Sequence, residues 1–166
     1  MTQLAKPEAV LAKWNGTQLP HRGSQLQLEK TKDEYWVTTI GTDGIKQGKQ
    51  RMTMTTGSHH LQVYWLGDKK GNLQHPFPYG WLIADQKWAP VEDTFLRDPE
   101  SAKPNAKWNT VCIDCHSVAG KPRIMASNKG QRTTKTEVAE LGISCEACHG
   151  PAQEHIAYYQ NPFNRY

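Results

Sequence analysis

The sequence predicts an α+β chain, with an antiparallel β meander or small sandwich over residues 1–100 and a mostly α or irregular region over residues 101–166. Three observations support this division. Short strand-like runs recur at close intervals through the first hundred residues, separated by Gly- and Asp-containing turns. All four cysteines lie beyond residue 110. Between the halves, DPESAKPNAK (residues 98–107) is polar, carries two prolines and reads as a connector.

The elements follow in order. EYWVTTI (Glu34 to Ile40) is rich in β-branched and aromatic residues and reads as a strand, with a turn signal at Thr42 to Gly44. QRMTMTT alternates over Gln50 to Thr56, which puts Met52 and Met54 on one face. HLQVYWL (His60 to Leu66) is the next strand, and GDKKGN makes a hairpin turn before LQHPFPYG. WLIADQKWAPV reads as a further strand-like segment. In the second half, TKTEVAELG offers an N-cap Thr and Gly142 as a stop, predicting a helix through Val138 and Leu141. PAQEHIAYYQNP predicts another helix, entered at Pro151 and ended by Asn161-Pro162.

The length of 166 residues fits one domain or two small ones. Apolar residues are 37% of the chain and mean hydropathy is -0.74, so no run approaches the ~18 apolar residues of a membrane span. So few aliphatics predict a thin core unless something else fills it. Net charge is +4, and the basic residues Lys30, Lys32, Lys69, Lys70, Lys121 and Arg123 are scattered, which argues against nucleic acid as a partner. Met1 to Trp14 has no apolar core of the signal-peptide type, so the chain is expected to be cytosolic or a processed piece of something longer.

The cysteines decide between those options. Cys112 and Cys115 lie in VCIDCHS, and Cys145 and Cys148 in SCEACHG. Two such pairs fit a four-thiolate zinc site, redox disulfides or covalent haem attachment. His116 and His149 separate the three readings. With 7 histidines in 166 residues, both positions carry one by chance about once in 560, and only haem c requires it. Residues three and four apart share one face of a helical turn. Both thiols can then form thioethers to a macrocycle while the imidazole reaches its iron. Two covalent c-type haems are therefore expected, with the C-terminal region wrapped around them. They also answer the composition, since each macrocycle substitutes for missing core. Their four propionates would take the formal +4 to about 0 with reduced iron, or near +2 with both irons ferric.

KWNTVCIDCHSVAGKPR and TEVAELGISCEACHGPAQEHI resemble the multihaem c-type cytochromes of the cytochrome c-554 kind, and more closely their long relatives with a haem-poor β insert and often helical repeats. WNGTQLPHRG, TGSHHLQVYW and the Lys-Trp-Ala-Pro segment extend the likeness into the first half. The resemblance implies an excised or truncated part of a larger cytochrome, since an earlier haem motif usually precedes this region. It also implies a periplasmic or other extracytoplasmic location, where haem c is attached. Redox protein donors and acceptors, including other haem domains of the same longer chain, are the expected partners.

Two distal ligands are needed if both irons are six-coordinate. By resemblance, His155 is the favoured one, reaching the first haem from beyond a Gly-Pro break; its alternative is a surface helix histidine or a propionate partner. His59 and His60 begin a strand, so one is expected inward and one outward. His21 precedes a Gly turn and resembles a recurrent histidine of the family. His75, before Pro76, reads as structural, and Met125 as packing rather than as a thioether ligand. Trp65, Trp88, Trp108, Tyr158 and Tyr159 are core or haem-edge candidates, and Lys121 and Arg123 are propionate partners or solvated loop residues. Electron transfer is the expected function. The alternative is a haem enzyme or gas-binding sensor with one open iron, for which His59, His60 and Tyr64 are the available acids and bases. A third possibility makes the β half a docking module of a larger assembly.

Overall fold

In the computed structural model, residues 1–69, 71–94, 107–126, 132–145 and 152–164 are described. Eight strands make one antiparallel sheet: β1 (Thr2–Leu4), β2 (Gln18–His21), β3 (Ser24–Thr31), β4 (Glu34–Ile40), β5 (Lys46–Thr56), β6 (Leu61–Gly67), β7 (Gln74–Leu82) and β8 (Lys87–Pro90). β2 to β8 neighbour one another in chain order, which is the expected meander. β1 adds to the last residues of β5, with Thr2 opposite Thr56 and Leu4 opposite Met54. The Arg22-Gly23 hairpin loop takes φ values of 47° and 77°, the left-handed geometry that suits a tight connection between twisted strands.

Two readings of this half need correction. WLIADQKWAPV is not one strand: β7 ends at Leu82, a tight turn follows, and β8 pairs Trp88 back onto Trp81. Gln86 makes that turn possible by adopting φ 52°. Met52 and Met54 do not share a face either. The β5–β6 register shifts between them, and one extra residue in a ladder moves the following side chain to the other side. Met52 enters one core and Met54 the other.

The sheet curls into a half-barrel, and the Tyr79 hydroxyl donates to the Pro20 carbonyl, linking β7 to β2. Its inner face holds Leu28, Tyr35, Val37, Met52, Phe77 and Trp81. Trp14 covers them, with ring centroids 5.2 Å from Tyr64 and 5.6 Å from Trp88. Aromatic area thus supplies burial that the sparse aliphatics do not. Gln62, 2% exposed, anchors the covering segment: it donates to the carbonyls of Ala9 and Gly57 and accepts from the Leu11 amide and the Tyr64 hydroxyl.

The described residues of 107–126 and 132–145 pack on the other face. Met54 and Trp65 from the sheet join Trp108 and Ile113 in a second core, flanked by Val63, Cys112, Val138 and Leu141. The helix expected over TKTEVAELG is absent. Val138 and Leu141 reach this core from a β-ribbon instead. β9 (Ser117–Val118) pairs with β12 (Glu140–Leu141), Lys121 bridges Glu137, and β10 (Ile124–Ala126) pairs with β11 (Arg132–Thr134). All three pairings keep one register, so they form a single interrupted hairpin whose tip lies outside the described residues. Ala119 and Arg123, with φ of 50° and 44°, mark the interruptions. β-Branched Thr136 and Val138 weaken the helical alternative, and the Lys121–Glu137 backbone pair takes up donors and acceptors a helix would have used. The last expected helix does form, over Gln153–Gln160, followed by a 3-10 turn at Pro162–Asn164. The expected boundary at residues 100 and 101 lies outside the described residues.

Candidate haem-attachment site

The first Cys-x-x-Cys-His run sits on a π turn, Trp108–Cys112, that continues into the helical turn Ile113–His116. The sheet fixes this turn through its first two residues. Trp108 is 2% exposed, and its Nε1 donates to Thr2 Oγ1 at 3.3 Å. Thr2 Oγ1 lies 2.8 Å from Thr56 Oγ1, which accepts from Trp65 Nε1 at 2.9 Å, so the two indoles of the second core are tied through paired threonines. Asn109 is 1% exposed. Its Oδ1 accepts from the Gln74 amide at 2.7 Å, and its Nδ2 donates to the Asn72 carbonyl at 3.0 Å and to Thr136 Oγ1 at 2.7 Å. A buried amide with three partners joins the turn, the β6–β7 connection and the ribbon.

On this base stand the chemical groups. Cys112 is half-buried, Cys115 is exposed, and both are free thiols. Burial, and then the neighbouring Cys115, push the Cys112 thiol above its ordinary range. His116 is half-buried, and burial lowers its pKa. Its Nδ1 is buried with no hydrogen-bond partner among the described residues. These groups fit a covalent haem. The thiols are reduced and three residues apart on one helical turn, and the imidazole next to them is held neutral, the form that ligates iron. His116 would hold the iron, and Cys112 and Cys115 the macrocycle. Cys145 is an exposed free thiol beyond the ribbon, whereas Cys148 and His149 lie outside the described residues.

The remaining histidines are dispersed, and among the described residues no three His, Cys, Asp or Glu side chains gather into a metal-binding group. His59 and His60 occupy the turn between β5 and β6, not a strand, and both face solvent, with Ser58 Oγ 3.1 Å from His59 Nδ1. The inward–outward alternation expected of them fails because β6 begins only at Leu61. His21 ends β2 and is half-buried, and burial lowers its pKa. His155 is exposed on the C-terminal helix, its ring 4.8 Å from that of Tyr159. Met125 is exposed on β10. Tyr64 is unsuited to acid–base work at an open face, because burial raises its pKa far above the usual range and its hydroxyl is committed to Gln62.

His75 has the structural role expected of it. Its Nδ1 lies 2.6 Å from Lys107 Nζ, at the start of the turn that carries the first Cys-x-x-Cys-His run. Burial first, and then the Lys107 cation, lower the His75 pKa. The folded state therefore binds fewer protons than the unfolded state below the ordinary histidine value of 6.5. Its stabilising contribution is complete above that value and is lost as pH falls through the folded pKa. Denaturant midpoints are expected to fall as pH drops below 6.5, and His75→Gln is expected to flatten that dependence; an unchanged pH profile in the variant would refute the role.

Two thiols and an imidazole on one short turn are the groups that a covalently attached haem requires. Residues 84–150 match the family model for cytochrome c554 and c-prime. The match supports a cytochrome c family and, with it, covalently bound haem c and electron transport. Neither the curated proteins nor the solved structures returned a match. No helix among the described residues is long and apolar enough to cross a membrane.

Asn109 and Thr136 carry no signal in the sequence, because a buried amide or hydroxyl has no periodic signature.

Proposed function

We propose that this chain is a dihaem electron-transfer unit of a periplasmic cytochrome. Cys112, Cys115 and His116 hold one haem, and Cys145, Cys148 and His149 hold the other. Each haem supplies a one-electron couple, and the polypeptide tunes its potential by ligation, burial and hydrogen bonding. His155, His59, His60 and His21 are the candidates for the sixth positions. Redox proteins, or further haem domains of a longer chain, are the donors and acceptors.

One observation carries this reading. At the ribbon base the Gly142 amide donates to the His116 carbonyl at 2.9 Å, so the end of the first motif meets the approach to the second. Cys145 is three positions after Gly142, at most about 11 Å of extended chain. The ribbon thus brings Cys145, where the second attachment sequence begins, within reach of the end of the first. Such an arrangement serves passage of electrons between two cofactors.

Electron paramagnetic resonance of the ferric protein, before and after cyanide, tests the assignment. Two low-spin signals unaffected by cyanide are expected. A high-spin signal lost on cyanide binding would overturn the relay reading in favour of an enzyme or sensor with an open iron.

A further inference from the structure

The charge of the chain is unevenly placed. Five of its 20 basic residues but only two of its 16 acidic ones fall between residues 117 and 141, so that stretch of sequence carries +3 of the net +4. The remainder holds +1, and four haem propionates would turn it negative, leaving the ribbon as the positive pole. Within the ribbon, Lys135 lies opposite Arg123, its amide donating to the Arg123 carbonyl at 3.1 Å. Like charges directly opposite one another destabilise a strand pair. Glu137 pairs with Arg123 at 2.8 Å. Lys121 and Lys135 are exposed and have no ion pair among the described residues. Beside them Ile124 and Met125 are 44% and 43% exposed, large apolar side chains on an unshielded strand. Cationic residues surrounding exposed apolar ones, at a like-charge strand pair, suit an anionic partner that covers them.

We infer that this ribbon is the docking arm for an acidic electron-transfer protein. The inference rests on the electron-transfer reading and gives that site its entry point, because the ribbon springs directly from His116. Lys121 and Lys135 steer the approach, and Met125, which alternates with Ile124 along β10, supplies the apolar contact. A partner seated on the arm lies against the first haem rather than against the half-barrel.

Stopped-flow reduction of the haem-loaded protein by reduced cytochrome b5, an acidic haem protein, tests this. Lys121→Gln/Lys135→Glu is expected to slow the bimolecular rate about tenfold at low salt, with the difference vanishing as salt rises. Lys87→Gln, on β8 away from the arm, is expected to leave the rate unchanged. Equal rates and equal salt dependence for the double variant and the parent, with haem spectra intact, would overturn the docking arm alone. Capture on phosphatidylglycerol vesicles through these lysines, without any effect on the cytochrome b5 rate, would overturn it in favour of a lipid surface. Absence of haem absorbance in the parent would overturn the electron-transfer reading itself.

Discussion

Trp108→Ala is expected to destabilise the fold by about 3–5 kcal/mol, the range for truncating a buried aromatic. The indole is 2% exposed, packs with Met54, Trp65 and Ile113, and donates to Thr2. Its removal opens a cavity under the turn that carries the first haem motif and leaves Thr2 without that donor. Asn109 and Ile113 then hold the turn without it. Denaturant unfolding followed by far-ultraviolet circular dichroism measures the loss. Phe163→Ala is the control: that ring is 90% exposed, and its removal is expected to cost within about 0.5 kcal/mol. A Trp108→Ala midpoint equal to that of the control would mean that the turn does not depend on the second core.

Cys112→Ser/Cys115→Ser is expected to remove one haem completely and leave the other attached. A serine hydroxyl at either position has no thiolate to add to a vinyl group, so neither thioether forms. The two pairs are chemically independent, because Cys145 and Cys148 belong to a separate turn of sequence. Haem counted by pyridine haemochrome in protein matured outside the cytoplasm is expected to fall from two per chain to one. Loss of both haems would mean that the second attachment depends on the first. Retention of both would refute the assignment of these thiols.

The meander was legible because its strands announce themselves locally. Glu34–Ile40 matches β4 to the residue, and Leu61–Gly67 differs by one position from the stretch beginning at His60. The bulge between Met52 and Met54 was not legible, since an irregular register belongs to two strands together and neither shows it alone. The ribbon was hidden for a similar reason. TKTEVAELG has helical caps, but its pairing partner lies up to 24 residues earlier, in Ser117–Ala126, and Val138 gains more from the Trp65 and Trp108 core than a short helix offers. The residues proposed to hold haem stand out in the sequence because covalent attachment would fix their spacing. Distal ligands have no such rule, and His60 shows it: adjacent in sequence to a strand, it stands in a solvent-facing turn.

The central claim is two covalently attached haems on this chain. The mass of the intact, denatured protein after maturation outside the cytoplasm tests it most directly. The expected result is the 18.8 kDa polypeptide plus two haems, surviving acid extraction of any non-covalent cofactor. An unmodified polypeptide mass, with zinc bound in the native protein, would contradict it.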